Sequence, residues 1–102
     1  MATTVEKQES RYNGVPFLDE MDDDELLQFV NYIGYDARPD IAANDICGTR
    51  TGATKTTVKL RNFAWNTITA RRYRRNGDIV SARWHERMAD DIYYSLPEWA
   101  KW

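Results

Sequence analysis

The chain is poor in the residues from which most catalytic and metal centres are built. It has one histidine and one cysteine in 102 residues. No internal disulfide can form, and His85 with Cys47 cannot supply the four ligands of a structural zinc site. Ser10, Ser81 and Ser95 have no histidine or acid spaced to activate them. These gaps leave no catalytic residue to name, no metal site and no cofactor motif, and we expect a protein that is not an enzyme. Proline and glycine are also scarce, at three and five, so each one reads as punctuation between elements and not as part of a linker. No apolar run approaches the ~20 residues that span a bilayer, and the first ten residues lack the apolar core of a secretory signal. The expected location is therefore intracellular (cytoplasmic), or a virus particle if the chain is a viral structural component. Neither a membrane nor a small-molecule substrate is expected as a partner.

Aromatic residues and helical periodicity are what the sequence has instead. Aromatics make up 13% of the chain and include four tryptophans, Trp65, Trp84, Trp99 and Trp102. Such rings bury large areas and can compensate for the modest core of a small domain. Residues 54–76 organise the rest. They contain no proline or glycine before Gly77, and on a helical wheel their apolar side chains fall on two sides. Val58, Trp65 and Ile68 form one side, and Leu60, Phe63 and Ala70 the other. A helix apolar on two sides is one that other elements pack around.

Around this central basic helix the sequence predicts an all-α domain of three to four helices over residues 15–102, with no sheet. A polar arm, residues 1–14, precedes it and is flexible or bound to a partner. A helix over 19–33 carries Leu26, Phe29, Val30 and Ile33 at one-face spacing. Phe17 or Leu18 serves as a staple onto its first turn, and Gly34 stands at its C-terminal stop. Pro39 opens a short helix with Ile41, Ala42 and Ile46 on one side, stopped by Gly48. Thr51 or Thr54 caps the central helix. Asn76-Gly77-Asp78 is a tight reversal into a last helix, 79–95, which turns Ala82, Ala89, Ile92, Tyr93 and Leu96 inward. Pro97 ends it, and a final turn carries Trp99 and Trp102. The expected core is Leu26, Phe29, Val30, Ile33, Leu60, Phe63, Ala64, Trp65, Ile68, Ala82, Ala89, Ile92 and Leu96.

Charge is strongly partitioned, although the net value is only −2. Residues 1–46 hold three cations against eleven acids, a balance of −8, and residues 47–87 hold ten cations against two acids, a balance of +8. Such a chain can neutralise itself internally or pair with another molecule. Asp19, Glu20, Asp22, Asp23, Asp24 and Glu25 suit the positive end of a helix dipole, or form an acidic docking surface. They lack the spacing and the glycine of a calcium loop. Arg61, Arg71, Arg72, Tyr73, Arg74 and Arg75 form an anion or nucleic-acid contact candidate, since arginines interleaved with an aromatic suit phosphate surfaces and protein hot spots alike. Gly48 to Thr56 has the wrong spacing for a phosphate loop, which leaves only weak anion binding at the start of the central helix, helped by Arg50 and Lys55.

The last helix has an unusual outer face, where Val80, Arg83, Trp84, Arg87, Asp91 and Tyr94 lie opposite the alanine stripe. With Trp99 and Trp102, these residues are the candidate protein interface. His85 lies at the edge of the inward face, as a boundary histidine with a hydrogen-bond partner. The function expected from these features is that of a non-enzymatic assembly or adaptor protein. It binds itself or a protein partner through opposite charges and the Arg/aromatic face. The alternative is a nucleic-acid-binding module using helix 54–76. Small helical virus and phage structural or accessory proteins share this character, although no motif connects the chain to them.

Overall fold

The computed structural model describes residues 21–46 and 54–102. Among these residues the protein is all-helical, with four helices and no strands. Helix α1 spans Asp23–Asn31 and runs into a π-helical turn, Tyr32–Asp36. Helix α2 is the single turn Pro39–Ala42, α3 is Lys55–Arg75, and α4 is Ile79–Tyr94. A 3₁₀ turn, Glu98–Ala100, follows Pro97. The expected arm at 1–14, the staple residues Phe17 and Leu18, and Cys47, Gly48, Arg50 and Thr51 lie outside the described residues.

Side-chain caps begin the three longer helices. Asp22 and Glu25 form a reciprocal capping box at α1, satisfying two otherwise unpaired N–H groups. At α3 the N-cap is Thr54, whose hydroxyl accepts from the Thr57 N–H at 2.8 Å. Asp45 completes this end in a way the sequence reading missed. Its main-chain carbonyl accepts from Lys55 N–H at 2.8 Å, and its carboxylate accepts from Thr56 N–H at 3.0 Å. The expected anion site at the start of α3 is thus taken by the chain's own acid, which also complements the helix dipole. At the other end Gly77 adopts φ 84°, the left-handed conformation in which glycine carries no Cβ penalty. Asp78 then caps α4 by accepting from Ser81 N–H.

Helix α3 packs on two sides. Thr57 meets Gly34 just beyond α1, Arg61 donates to Asn31, and Arg71 pairs with Asp23. The face bracketed by these contacts, carrying Leu60, Ala64 and Ile68, lies against Leu26, Val30 and Ile33. The order of the contacts makes α1 antiparallel to α3. On the other side Phe63 reaches Tyr93, Lys59 reaches the Ser95 carbonyl, and Arg74 pairs with Glu86, as an antiparallel α3–α4 hairpin requires. Ala70, Ala82 and Ala89 are fully buried and let the two axes come close.

The structure corrects several expectations. Trp65 is not core but 59% exposed, and Val58 is exposed beside it. Ile68 parts from them and turns toward α1, so the two apolar sides divide differently from the wheel, and the Val58–Trp65 stripe faces away from both packed sides. Phe29 and Ile92 are only half-buried. The short helix is a single turn and does not reach Ile46, which instead forms an isolated antiparallel bridge with Thr54 and is exposed. Gly34 is not a stop past the end of α1. It is buried inside the π-helical turn, where an added Cβ would lie 2.0 Å from Thr57 Oγ1 and 3.2 Å from the Thr57 Cα. Glycine is needed there for close approach, not for a left-handed turn. Trp99 and Trp102, expected in the protein interface, are half-buried and pack back onto the core, and Ala100 between them is buried. Trp102 stands edge-on to Phe29, Phe63 and Tyr93, with centroids 5.2, 5.5 and 4.8 Å away.

Gly34→Ala should therefore destabilise the protein by roughly 1–3 kcal/mol, the usual cost of overpacking a filled site. The same change at an unobstructed helical glycine adds up to ~1 kcal/mol of stability. Urea denaturation distinguishes the two signs. A more stable alanine variant would show that the π-helical turn and α3 do not meet at this point.

Candidate interaction surfaces

Two surfaces can be built from the candidate residues, and the fold treats them differently. The first is the basic end of α3. Cations at a helix C-terminus are favoured by the dipole, but here two of them are also committed to carboxylates. Arg71 Nη1 donates to Asp23 Oδ1 at 2.9 Å in a half-buried pair. Arg74 grips Glu86 with two nitrogens, its Nη2 lying 2.9 Å from Oε1, a fork geometry that strengthens the pair. Tyr73 is half-buried and stacks on His85, with centroids 5.6 Å apart and planes 14° from parallel. The His85 Nδ1–H donates to the Asn66 side-chain oxygen at 2.9 Å. This Asn66–His85–Tyr73 cluster joins α3 to α4, a role that the isolated histidine could not reveal in the sequence. Arg72 and Arg75 remain exposed, with no ion pair among the described residues.

The acidic segment is similarly committed. Asp22 and Glu25 cap α1, Asp23 is paired with Arg71, and Asp24 is exposed. Asp19 and Glu20 lie outside the described residues. Among the described residues no cluster of three or more His, Cys, Asp or Glu is placed to hold a metal ion, and no helix is long and apolar enough to cross a membrane.

The second surface is the outer face of α4. Val80 is 81% exposed, Trp84 58% and Tyr94 57%, and Arg83, Arg87 and Asp91 are exposed with them. Helical geometry explains the grouping. Val80, Trp84, Arg87, Asp91 and Tyr94 recur at alternating spacings of four and three residues. That period keeps them on one narrow stripe of a helix. Ala82 and Ala89 hold the opposite side against α3, so the stripe points away from the fold. Trp84 stands edge-on to His85, with centroids 4.8 Å apart, which limits the freedom of its ring. A semi-rigid tryptophan flanked by arginines has the make-up of an interface anchor. Trp65 on α3 is a further exposed ring. Its two-sided helix pattern suggested burial, and no signal in the sequence marked it as exposed.

Beside this stripe, Asp90 is an acid perturbed by its surroundings. Partial burial pushes its carboxyl above the ordinary aspartate range, and the charge of Asp91 adds to the effect. Among the described residues its Oδ1 has no hydrogen-bond partner. A raised acid pKa means that the folded state holds the proton more tightly, so stability falls as pH rises through the folded value. Asp90→Asn should accordingly raise Tm at pH 7, and the gain should vanish below the unfolded value near 3.8, where both states are protonated. Thermal melts at the two pH values check this. An equal gain at both would assign the effect to packing instead of charge.

Together the fold and these surfaces define, among the described residues, a small all-α domain with a half-committed basic end and an exposed stripe on α4. The sequence matches no known protein family, and comparison with curated proteins and with solved structures finds no match.

Proposed function

We propose that this chain is a non-catalytic helical module that binds a protein through the outer face of α4. The observation that carries the reading is the α4 stripe, in which Val80, Trp84 and Tyr94 stay exposed in line with Arg87 and Asp91. Covering a tryptophan and its apolar neighbours gains on the order of 1.5–3 kcal/mol per large side chain. The charged residues in the same line would make such contact selective. Assembly and adaptor roles both follow from such a face.

A second reading, nucleic-acid binding through α3, draws on the exposed Arg72 and Arg75. It is weakened by the commitment of Arg71 to Asp23 and of Arg74 to Glu86. Two remaining phosphate contacts would give a salt dependence with a slope of only about −2 and correspondingly weak binding.

A photocrosslinking phenylalanine analogue tests both readings when placed at position 84 or at position 72 in the full chain. Irradiation in extracts of the producing cells should yield protein adducts from position 84. Nucleic-acid adducts from position 72, with none of any kind from position 84, would replace the first reading with the second.

A further inference from the structure

We infer that the partner of the α4 face is a second copy of the same chain, paired antiparallel about a twofold axis between Arg87 and Asp91. This rests on the reading of α4 as a protein-binding face and names its occupant. The argument is the chemical symmetry of the stripe. Reading outward from its midpoint, Arg87 and Asp91 come first, and Trp84 and Tyr94 come next. An isologous pairing brings each residue against its counterpart twice. Arg87 of one copy then faces Asp91 of the other, and Trp84 faces Tyr94, so the centre of the contact holds two ion pairs flanked by two aromatic pairs.

The alternatives are worse on the same charges. A parallel pairing sets Arg87 against Arg87 and Asp91 against Asp91. An antiparallel pairing whose axis moves two residues, to Arg87, places two guanidinium groups on the axis. Like charges facing each other at the centre of a helical seam disfavour such registers. The alternating four- and three-residue spacing is also the period at which two helices keep one seam in contact. Asp91 has no ion pair within its own chain among the described residues, and neither has Arg87. Head-to-tail pairing through the acidic N-terminal segment is less favoured, because Asp22, Asp23 and Glu25 already serve α1 and Arg71.

Sedimentation equilibrium on the full chain and its charge-reversed variants tests the pairing. The unaltered protein should sediment at twice the chain mass at micromolar concentration. Arg87→Asp sets acid against acid at both central layers, and Asp91→Arg sets base against base. Each variant alone should sediment as a monomer, with helical circular dichroism unchanged because both side chains are exposed. An equimolar mixture of the two should return to twice the chain mass, since every Asp then meets an Arg, and its association should be at least tenfold tighter than that of either variant alone. The double variant R87D/D91R restores complementarity within one chain and should dimerise like the original. It keeps the test decisive if a single variant folds poorly. A monomeric unaltered chain overturns the pairing, as does failure of both the mixture and the double variant to dimerise. If the chain is monomeric but position 84 still crosslinks to a different protein, the second-copy assignment fails while the protein-binding reading stands. With no protein adduct either, both fail.

Discussion

The close approach of the π-helical turn after α1 to α3, at Gly34 and Thr57, is the contact on which the rest of the fold depends. No side chain larger than hydrogen fits between the two elements there, so the backbone of the π-helical turn lies directly on α3. The Thr54 hydroxyl, which bonds to Thr57 Oγ1, lies within 3.5 Å of the Gly34 carbonyl. That junction aims Leu26, Val30 and Ile33 along α3, and it sets Asp23 opposite Arg71 at the far end. One side of α3 is then filled, and α4 must take the other. The alanines at 82 and 89 allow the second packing to be close. With the inner side of α4 fixed in this way, Trp84 has no route into the core.

Helix existence and order were legible because the periodicity, Asp78, Thr54 and Gly77 act locally, within a turn of where they stand. What escaped the sequence were contacts between distant residues. Asp45 caps α3 from across a loop, and Gly34 serves a contact with Thr57, not the end of its own helix. A helical wheel shows which residues share a side but not how many sides are covered, so the pattern alone places Trp65 with the core although it is exposed. Trp102 shows the converse, since its place among Phe29, Phe63 and Tyr93 depends on a 3₁₀ turn after Pro97. The outer face of α4 was readable because it is the complement of an alanine stripe on one uninterrupted helix.

The partition of charge along the chain takes on a definite meaning in this arrangement. Much of the acidic and basic excess near α1 and α3 is spent on helix ends and on the Arg71–Asp23 pair. Arg74–Glu86 ties the hairpin in the same way. Exposed pairs of this kind add little stability individually, but they fix which helix ends adjoin. Among the described residues, the charges on the outer face of α4 have no such internal use. Their alternation with exposed rings gives that face both an apolar gain on being covered and a preference for one orientation.

Orientation is the most direct test of a self-paired α4. A single spin label at position 80, in a chain with Cys47→Ser, reports the distance between two copies at the end of the stripe, outside its central layers. Antiparallel pairing about the midpoint between Arg87 and Asp91 places the two labelled backbones about 27 Å apart along the helix direction, from the ~1.5 Å rise per residue. A double electron–electron resonance distribution centred near 3 nm is the expected result. A distribution near the ~10 Å of adjacent parallel helices, or no intermolecular distance at all, would contradict the pairing.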